Sequence, residues 1–193
     1  MKYIITGLHS SGKREVIQDL KKTSSLRIGR TFNNISQNID GLYNIDSIYY
    51  TNNEINSIFE NKSYIFLKEI TDYNVPFYTG LTKQEFDLCD VFILTPDQFI
   101  SVPFFPEEVC IIWLDNSTMQ RKQRYNAQKM TYDFKLRESL EKEDSEEFIN
   151  KLYKSPNIHL LYFENEDPCR ISAIIQALSM HKDLLPIFES HYN

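Results

Sequence analysis

The sequence predicts an α/β domain built on a parallel sheet with helices packed on both faces. Three observations carry this expectation. Apolar runs of the buried-strand type, at Tyr3–Thr6, Asp90–Thr95, Val109–Leu114 and Ile158–Phe163, alternate with helical patterns. The first run feeds a Gly-x-x-x-x-Gly-Lys turn, after which Val16, Ile17 and Leu20 form one apolar helical face. No stretch repeats internally, and 193 residues make one compact domain with room for small insertions.

The turn reads Gly7-Leu8-His9-Ser10-Ser11-Gly12-Lys13-Arg14. Two glycines at this spacing let the backbone curl so that successive N–H groups face inward at a helix N-terminus, forming a nest for phosphate oxygens. Lys13 adds a mobile charge for the outer phosphates. Strand, nest and helix in that order make most of a P-loop; the alternative is an ordinary glycine-containing strand-to-helix turn with a chance lysine. Arg14 stands where the motif places a Ser or Thr whose hydroxyl holds Mg²⁺. Either the metal is held by water and other groups, or phosphoryl transfer is impaired.

Composition narrows the function classes. A net charge of −6 and a pI near 5.3, with no Lys/Arg block, argue against general electrostatic binding of nucleic acid. Cys89, Cys110 and Cys169 are widely spaced, in or beside apolar runs, and read as buried thiols of a reducing compartment. None of the four histidines is spaced for zinc. With no secretory leader pattern and no membrane-length apolar run, the expectation is a soluble cytoplasmic protein without a membrane partner.

In chain order, Leu26–Arg30 reads as a short strand and Thr31–Ser47 as a loop. Thr51-Asn-Asn-Glu54 is a capping box opening a helix on Ile55, Ile58 and Phe59. Tyr64–Ile70, a turn at Asp72–Asn74 and Val75–Tyr78 form a hairpin. Thr82-Lys-Gln-Glu85 caps a brief helix to Cys89, and Asp90–Thr95 is a central strand with Pro96 in the first turn of the next helix. Asn116 or Ser117 caps a basic helix through about Tyr125, leading into a charged stretch at Gln128–Glu147. Asp167-Pro168 opens a helix with Ile171, Ile174, Ile175 and Leu178 on its apolar face. The core then comprises 1–30, 82–125 and 148–193, with an α+β insertion at 31–81 and a lid-like segment at 126–147.

P-loop proteins commonly organise Mg²⁺ through a carboxylate at the end of a neighbouring strand. Asp115 closes Ile111-Ile-Trp-Leu-Asp115 and serves either there or in capping the next helix. Asp97 follows Thr95-Pro96 and either favours the start of its own helix or contacts a ligand.

The ordered series of residues after the P-loop resembles the guanylate kinase family of P-loop nucleoside monophosphate kinases. Arg27-Ile-Gly-Arg30 looks like the family's phosphate-gripping Arg-x-x-Arg, and Tyr50 falls at a phosphate-contacting tyrosine. Glu69 sits like the glutamate that accepts hydrogen bonds from guanine, and Phe77-Tyr78-Thr79-Gly80 looks like Tyr-Tyr-Gly-Ser/Thr. Asp97 matches the second acid of the family's Asp-x-Asp, with Thr95 at the first. Arg121-Lys-Gln-Arg124 resembles the start of the lid, and Arg137 lies where a later lid arginine would come.

The chemistry suits these residue types: arginine forks match phosphate oxygens, and a carboxylate accepts two N–H donors from a guanine edge. The resemblance implies ATP and Mg²⁺ as cofactors and a nucleoside or deoxynucleoside monophosphate, GMP or dGMP foremost, as acceptor. Lys13, Arg14, Arg121, Arg124 and Arg137 would then act on the transferred group, and Gly7 to Arg14 would bind ATP. Arg27, Arg30, Tyr50, Glu69, Tyr78, Thr79 and Asp97 would bind the acceptor. A homodimer is compatible with the sequence. The departures at Arg14, Thr95 and the Thr79-Gly80 order keep open a guanylate-kinase-like binding module, and the P-loop alone leaves open a kinase for another small acceptor.

Overall fold

The computed structural model of the chain describes residues 1–34, 47–70, 77–127, 134–152, 154–155 and 157–192, without the side chains of 136, 137, 140, 142, 143, 191 and 192. The expected turn at Asp72–Asn74, most of the Thr31–Ser47 loop, residues 128–133 of the charged stretch and the Arg137 side chain therefore lie outside the described residues.

The chain runs β1 (Lys2–Thr6), α1 (Lys13–Thr23), β2 (Phe32–Asn33), β3 (Ile48–Tyr49), α2 (Asn52–Glu60), β4 (Tyr64–Ile70) and β5 (Phe77–Thr82). It continues through α3 (Lys83–Leu88), β6 (Val91–Ile93), α4 (Pro96–Ile100), β7 (Val109–Asp115), α5 (Thr118–Ala127) and α6 (Phe134–Leu152). β8 (Ile158–Glu164), α7 (Pro168–Met180), a 3-10 turn at Lys182–Leu184 and α8 (Leu185–Tyr192) complete it.

Four parallel strands form the main sheet in the order β6-β1-β7-β8. Alternation along β1 divides the core. Tyr3 and Ile5 pack with Val16, Ile17 and Leu20 of α1 and Ile171, Ile175 and Leu178 of α7. Ile4 faces the other way, toward Phe86, Phe92, Phe99 and Phe148. Successive strand residues point to opposite sides, so a sheet covered on both faces needs apolar residues at every position. β1 and β7 meet that demand, and helices cover both faces.

The strand order reverses direction beside β1, so the turn after β1 sits at a topological switch point, where open α/β sheets leave a crevice.

A second sheet, β3-β2-β5-β4, is built around the antiparallel β4–β5 hairpin that the alternating pattern predicts. Thr51 caps α2 through the predicted capping box: its hydroxyl accepts from the Glu54 N–H, and the Glu54 carboxylate accepts from the Thr51 N–H at 2.7 Å.

Several expectations are corrected. Leu26–Arg30 is no strand: it contributes one bridge, Ile28 to Val91, where the Arg27 carbonyl accepts from both Asp90 and Val91. Gly29 lies so close to the Phe92 ring that an added Cβ would meet it at 2.1 Å. Asp90–Thr95 is not central, because among the described residues β6 ends the ladder and is bridged on its outer side by this segment.

β8 is the opposite edge, so it buries Leu161 and Phe163 while Tyr162 is exposed. Within the expected loop, Phe32–Asn33 forms a strand too short to show periodicity, pairing with Gly80 and Thr79. At α3 only half of the capping box forms: Thr82 accepts from Glu85, but the Glu85 carboxylate turns to the Arg30 N–H at 3.0 Å.

Of the cysteines only Cys110 is fully buried, with burial pushing its thiol up to about 12, while Cys89 is half-buried and Cys169 exposed. Among the described residues no helix is long and apolar enough to cross a membrane.

His159 on β8 bridges Glu108 before β7 and Glu189 on α8, at 2.9 and 2.8 Å. Burial opposes its charge, but these two carboxylates outweigh it and raise the pKa above the ordinary 6.5. The raised folded-state pKa means that the contribution is complete below about pH 6.5 and is lost as pH rises through the higher folded value. Because Glu108 is half exposed, the effect is about 1 kcal/mol or less. Urea unfolding of wild type and H159Q from pH 6 to 9 should show this decline in the wild type and its absence in the variant.

Candidate functional site

Thr6 ends β1 and Lys13 begins α1, with the glycine turn between them. Gly7 has φ +135° and passes so near β7 that an added Cβ would lie 2.3 Å from the Leu114 carbonyl oxygen. Ser10 at φ +55° and Gly12 at φ +100° complete a left-handed curl. Side chains alone would not hold this turn, since left-handed backbone is strained for residues other than glycine. β7 anchors it: Asn116 donates its amide to the Ser11 carbonyl at 2.7 Å, within a buried contact.

The Lys13 ammonium folds back onto the loop, donating to the carbonyls of Gly7 (2.7 Å) and Leu8 (2.6 Å) and to the Ser11 hydroxyl (3.3 Å). Thr6 Oγ1, Ser10 Oγ and Asn116 Oδ1 are buried around it without a hydrogen-bond partner among the described residues. Such orphaned polar atoms are costly in a protein interior unless a ligand or water engages them. They make the loop a candidate polar binding site.

The two arginines of α5 have different roles. Arg124 leans over the loop, donating to the Ser10 carbonyl at 3.3 Å, with its guanidinium about 3.7 Å from where a Gly12 Cβ would stand. Arg121 is 3% exposed and is held by the Asn116 carbonyl, the Thr118 hydroxyl and the Glu138 carboxylate, above the Phe134 ring. It ties α5 to α6, while its Nη1 is buried without a hydrogen-bond partner among the described residues. The sequence reading grouped the two because Arg121-Lys-Gln-Arg124 resembles the start of a guanylate kinase lid. Arg137 belongs to α6, which runs unbroken from the expected lid to Leu152.

His9, expected to bind cofactor, is engaged by a residue that sequence reasoning missed. Glu141 of α6 places Oε2 2.7 Å from both the His9 backbone nitrogen and Nδ1, and both residues are buried. The edge of Phe134 meets the His9 ring at a centroid distance of 4.5 Å. Nothing in a run as charged as Gln128–Glu147 marks one glutamate for burial. Only the helix face does: Phe134, Glu138, Glu141 and Phe148 recur at i, i+4, i+7 and i+14, a stripe in which acids replace apolar residues.

On the acceptor side, Arg27 is exposed and its N–H and guanidinium both approach Asp90, at 2.8 and 3.5 Å. Tyr50 packs on Phe32 with ring centroids 5.2 Å apart. Burial raises its hydroxyl pKa, aided by Glu85 and Glu54 and opposed by the charge of Arg30, so these groups share one neighbourhood.

β4 and β5 pair Glu69 with Tyr78 on one face of the hairpin. Thr79 and Lys68 occupy the opposite face. There Gln98 donates to the Thr79 hydroxyl at 3.3 Å, and Lys68 meets the Asp97 carboxylate at 3.1 Å. Glu69 and Asp97, expected to read one base together, are thus separated by strand alternation, and Asp97 pairs with a lysine instead. Thr79 follows the α4 side because the Thr-Gly order puts Gly80, not a hydroxyl, on the face of Tyr78.

The donor set fits phosphate better than a divalent cation. Asp115 accepts the Tyr162 hydroxyl, whose pKa burial and that carboxylate raise. Asp97 accepts from the Thr95 hydroxyl and from Lys68. Among the described residues no group of three or more His, Cys, Asp or Glu side chains could hold a metal. Neutral oxygens beside Lys13, Arg14 and Arg124 offer Mg²⁺ a weak, positively biased environment. The same neutral and cationic groups suit the phosphates of ATP.

No protein-family model matches the sequence, and no curated protein matches it. Among solved structures, the chain is similar to the guanylate kinase from Anaplasma phagocytophilum, with a TM-score of 0.47 and 15% identity over 93% of this chain and 86% of that one.

Gly7 and Gly12 should respond differently to alanine. G7A combines positive φ with a clash against backbone and should destabilise by about 3 kcal/mol or more. G12A meets only the Arg124 guanidinium at ordinary contact distance and should cost about 1 kcal/mol. Urea denaturation midpoints of the two variants check the order.

Proposed function

We propose that this chain is an ATP-dependent phosphotransferase of the guanylate kinase type, acting on a nucleoside or deoxynucleoside monophosphate with GMP or dGMP as the leading acceptor. The observation that carries the reading is the glycine turn at the switch point of the sheet, with Lys13 inside it and Arg124 reaching over it from α5. A further basic and aromatic set, Arg30 with Tyr50, lies on the insertion side.

Bound ATP would supply the transferable phosphoryl group. The turn from Gly7 to Arg14 would hold its phosphates, with Lys13 exchanging the Gly7 and Leu8 carbonyls for phosphate oxygens. Arg124 would offset negative charge developing on the transferred group, a contribution that grows when the cleft excludes water. On the acceptor, Arg27, Arg30 and Tyr50 would hold the phosphate, and Tyr78 with Glu69 would meet the base from one hairpin face. Thr79 and Asp97 support that wall from the α4 side. The acceptor's own phosphate oxygen is the nucleophile, so no side chain forms a covalent intermediate.

The expected division into a core, an acceptor-binding insertion at 31–81 and a lid beginning near 126 forms part of this proposal, as does a cytoplasmic setting. Its lid is the segment 126–147, which takes in the N-terminal part of α6, whose later residue Phe148 is fixed in the core.

A second reading, a nucleotide-binding module without turnover, draws on Arg14 at the metal-ligand position and on the engagement of Asp115 by Tyr162.

ADP release coupled to a panel of NMP and dNMP acceptors separates the two readings: acceptor-dependent turnover supports the kinase, and binding of ATP without any turnover supports the module. K13M should weaken ATP binding about 30-fold or more, read by calorimetry. Because cations occupy the place of metal ligands, ATP affinity measured in EDTA should stay within about threefold of that in Mg²⁺, and R14S should make the affinity metal-dependent.

A further inference from the structure

Glu141 is a buried carboxylate resting on the phosphate loop itself. Its Oε2 takes the His9 backbone N–H and Nδ1 at 2.7 Å each, while Lys13 is turned onto the carbonyls of Gly7 and Leu8. An anion acceptor and a cation of the loop are thus satisfied from within the chain. A carboxylate and a phosphate oxygen make the same kind of charge-assisted bond to a backbone N–H, so the two cannot share that donor. The negative charge of Glu141 also opposes a polyanion arriving at the loop, and burial weakens the screening of that repulsion.

The helix that carries Glu141 is held unequally at its two ends. Its C-terminal half is anchored: Phe148 packs on Phe99 and Trp113 at 4.7 and 4.8 Å, and Lys151 caps α4 through the carbonyls of Phe99, Ile100 and Val102. Its N-terminal half meets the loop and α5 through Phe134, which packs on His9, Tyr125 and Arg121, and through the carboxylates of Glu138 and Glu141. The charge-assisted contact of Glu141 with His9 is the part that a competing anion can release.

We infer that Glu141 is an internal competitor for the oxyanion site of the loop: a polyphosphate binds by displacing this carboxylate from His9, and displacement frees the N-terminal half of α6. The inference rests on the loop's being a polyphosphate site, as in the reading above. It adds that occupancy of the loop and the position of α6 are coupled through one residue. By linkage, whatever strengthens the Glu141–His9 contact weakens polyphosphate binding by the same factor.

The test uses the full chain and inorganic tripolyphosphate in EDTA, so that neither an acceptor nor a metal enters. Calorimetry compares wild type with E141Q, which removes the charge, and with E141D, which keeps it but withdraws it from His9. Both variants should bind tripolyphosphate about tenfold more tightly or better, whereas E138Q, an acid on the same stripe that contacts Arg121 instead, should change affinity less than about threefold. Where one Glu141 variant fails to fold, the other decides.

Hydrogen exchange on the wild type should show amides of 134–141 exchanging faster with tripolyphosphate bound, while those of 7–14 slow. Unchanged or weaker affinity in the Glu141 variants, equal tightening in E138Q, or slower exchange throughout α6 on binding would overturn the inference. Absence of tripolyphosphate binding in all of these proteins would instead reject the loop as a polyphosphate site, and the inference with it.

Discussion

The parallel pairing of β1 with β7 is the constraint on which the molecule depends. Thr6 lies in register with Trp113, and the next residue, Gly7, meets the Leu114 carbonyl at a distance that admits no side chain. Just past the end of β7, Asn116 binds the Ser11 carbonyl. The strand ladder therefore continues as a clamp on the glycine turn. The turn keeps its left-handed residues because the clamp overdetermines them. α1 inherits its direction from that turn, and α7 packs against α1 on the same face of the sheet.

Charge is distributed around this clamp with little waste. Arg121 and Glu138 join α5 to α6, Lys151 closes the end of α4, Lys68 joins the hairpin to α4, and Glu141 meets the loop. The chain is acidic overall, yet the cations Lys13, Arg14 and Arg124 belong to one turn and the helix above it. Binding of an anion by an acidic protein needs only such a local excess, because exposed charges beyond about 10 Å are screened.

The hairpin shows how strand geometry sorts chemistry. Glu69 and Tyr78 face one way; Lys68 and Thr79 face the other and meet α4. A family-like order of residues along the chain does not ensure convergence, since a reversal of two neighbours, as at Thr79-Gly80, moves a hydroxyl through the sheet. Phe32 fills the space that Gly80 leaves, and Tyr50 packs on Phe32, so the same reversal also shapes the aromatic wall.

Local patterns were enough to locate the strands of the main sheet, the α2 capping box, the Pro168 helix start and the glycine turn, because burial on both faces and cap chemistry act between residues close in the chain. The α/β class and the glycine nest after β1 follow from them. Partners distant in sequence were decided by tertiary structure alone: Arg121 buried on Glu138, Asp115 taken by Tyr162, Glu85 diverted to Arg30, and Glu141 seated on His9. Each of these is a polar group whose alternative partner was solvent or a near neighbour. Which one it meets depends on where helices and strands come to rest, and no periodicity in a charged run records that.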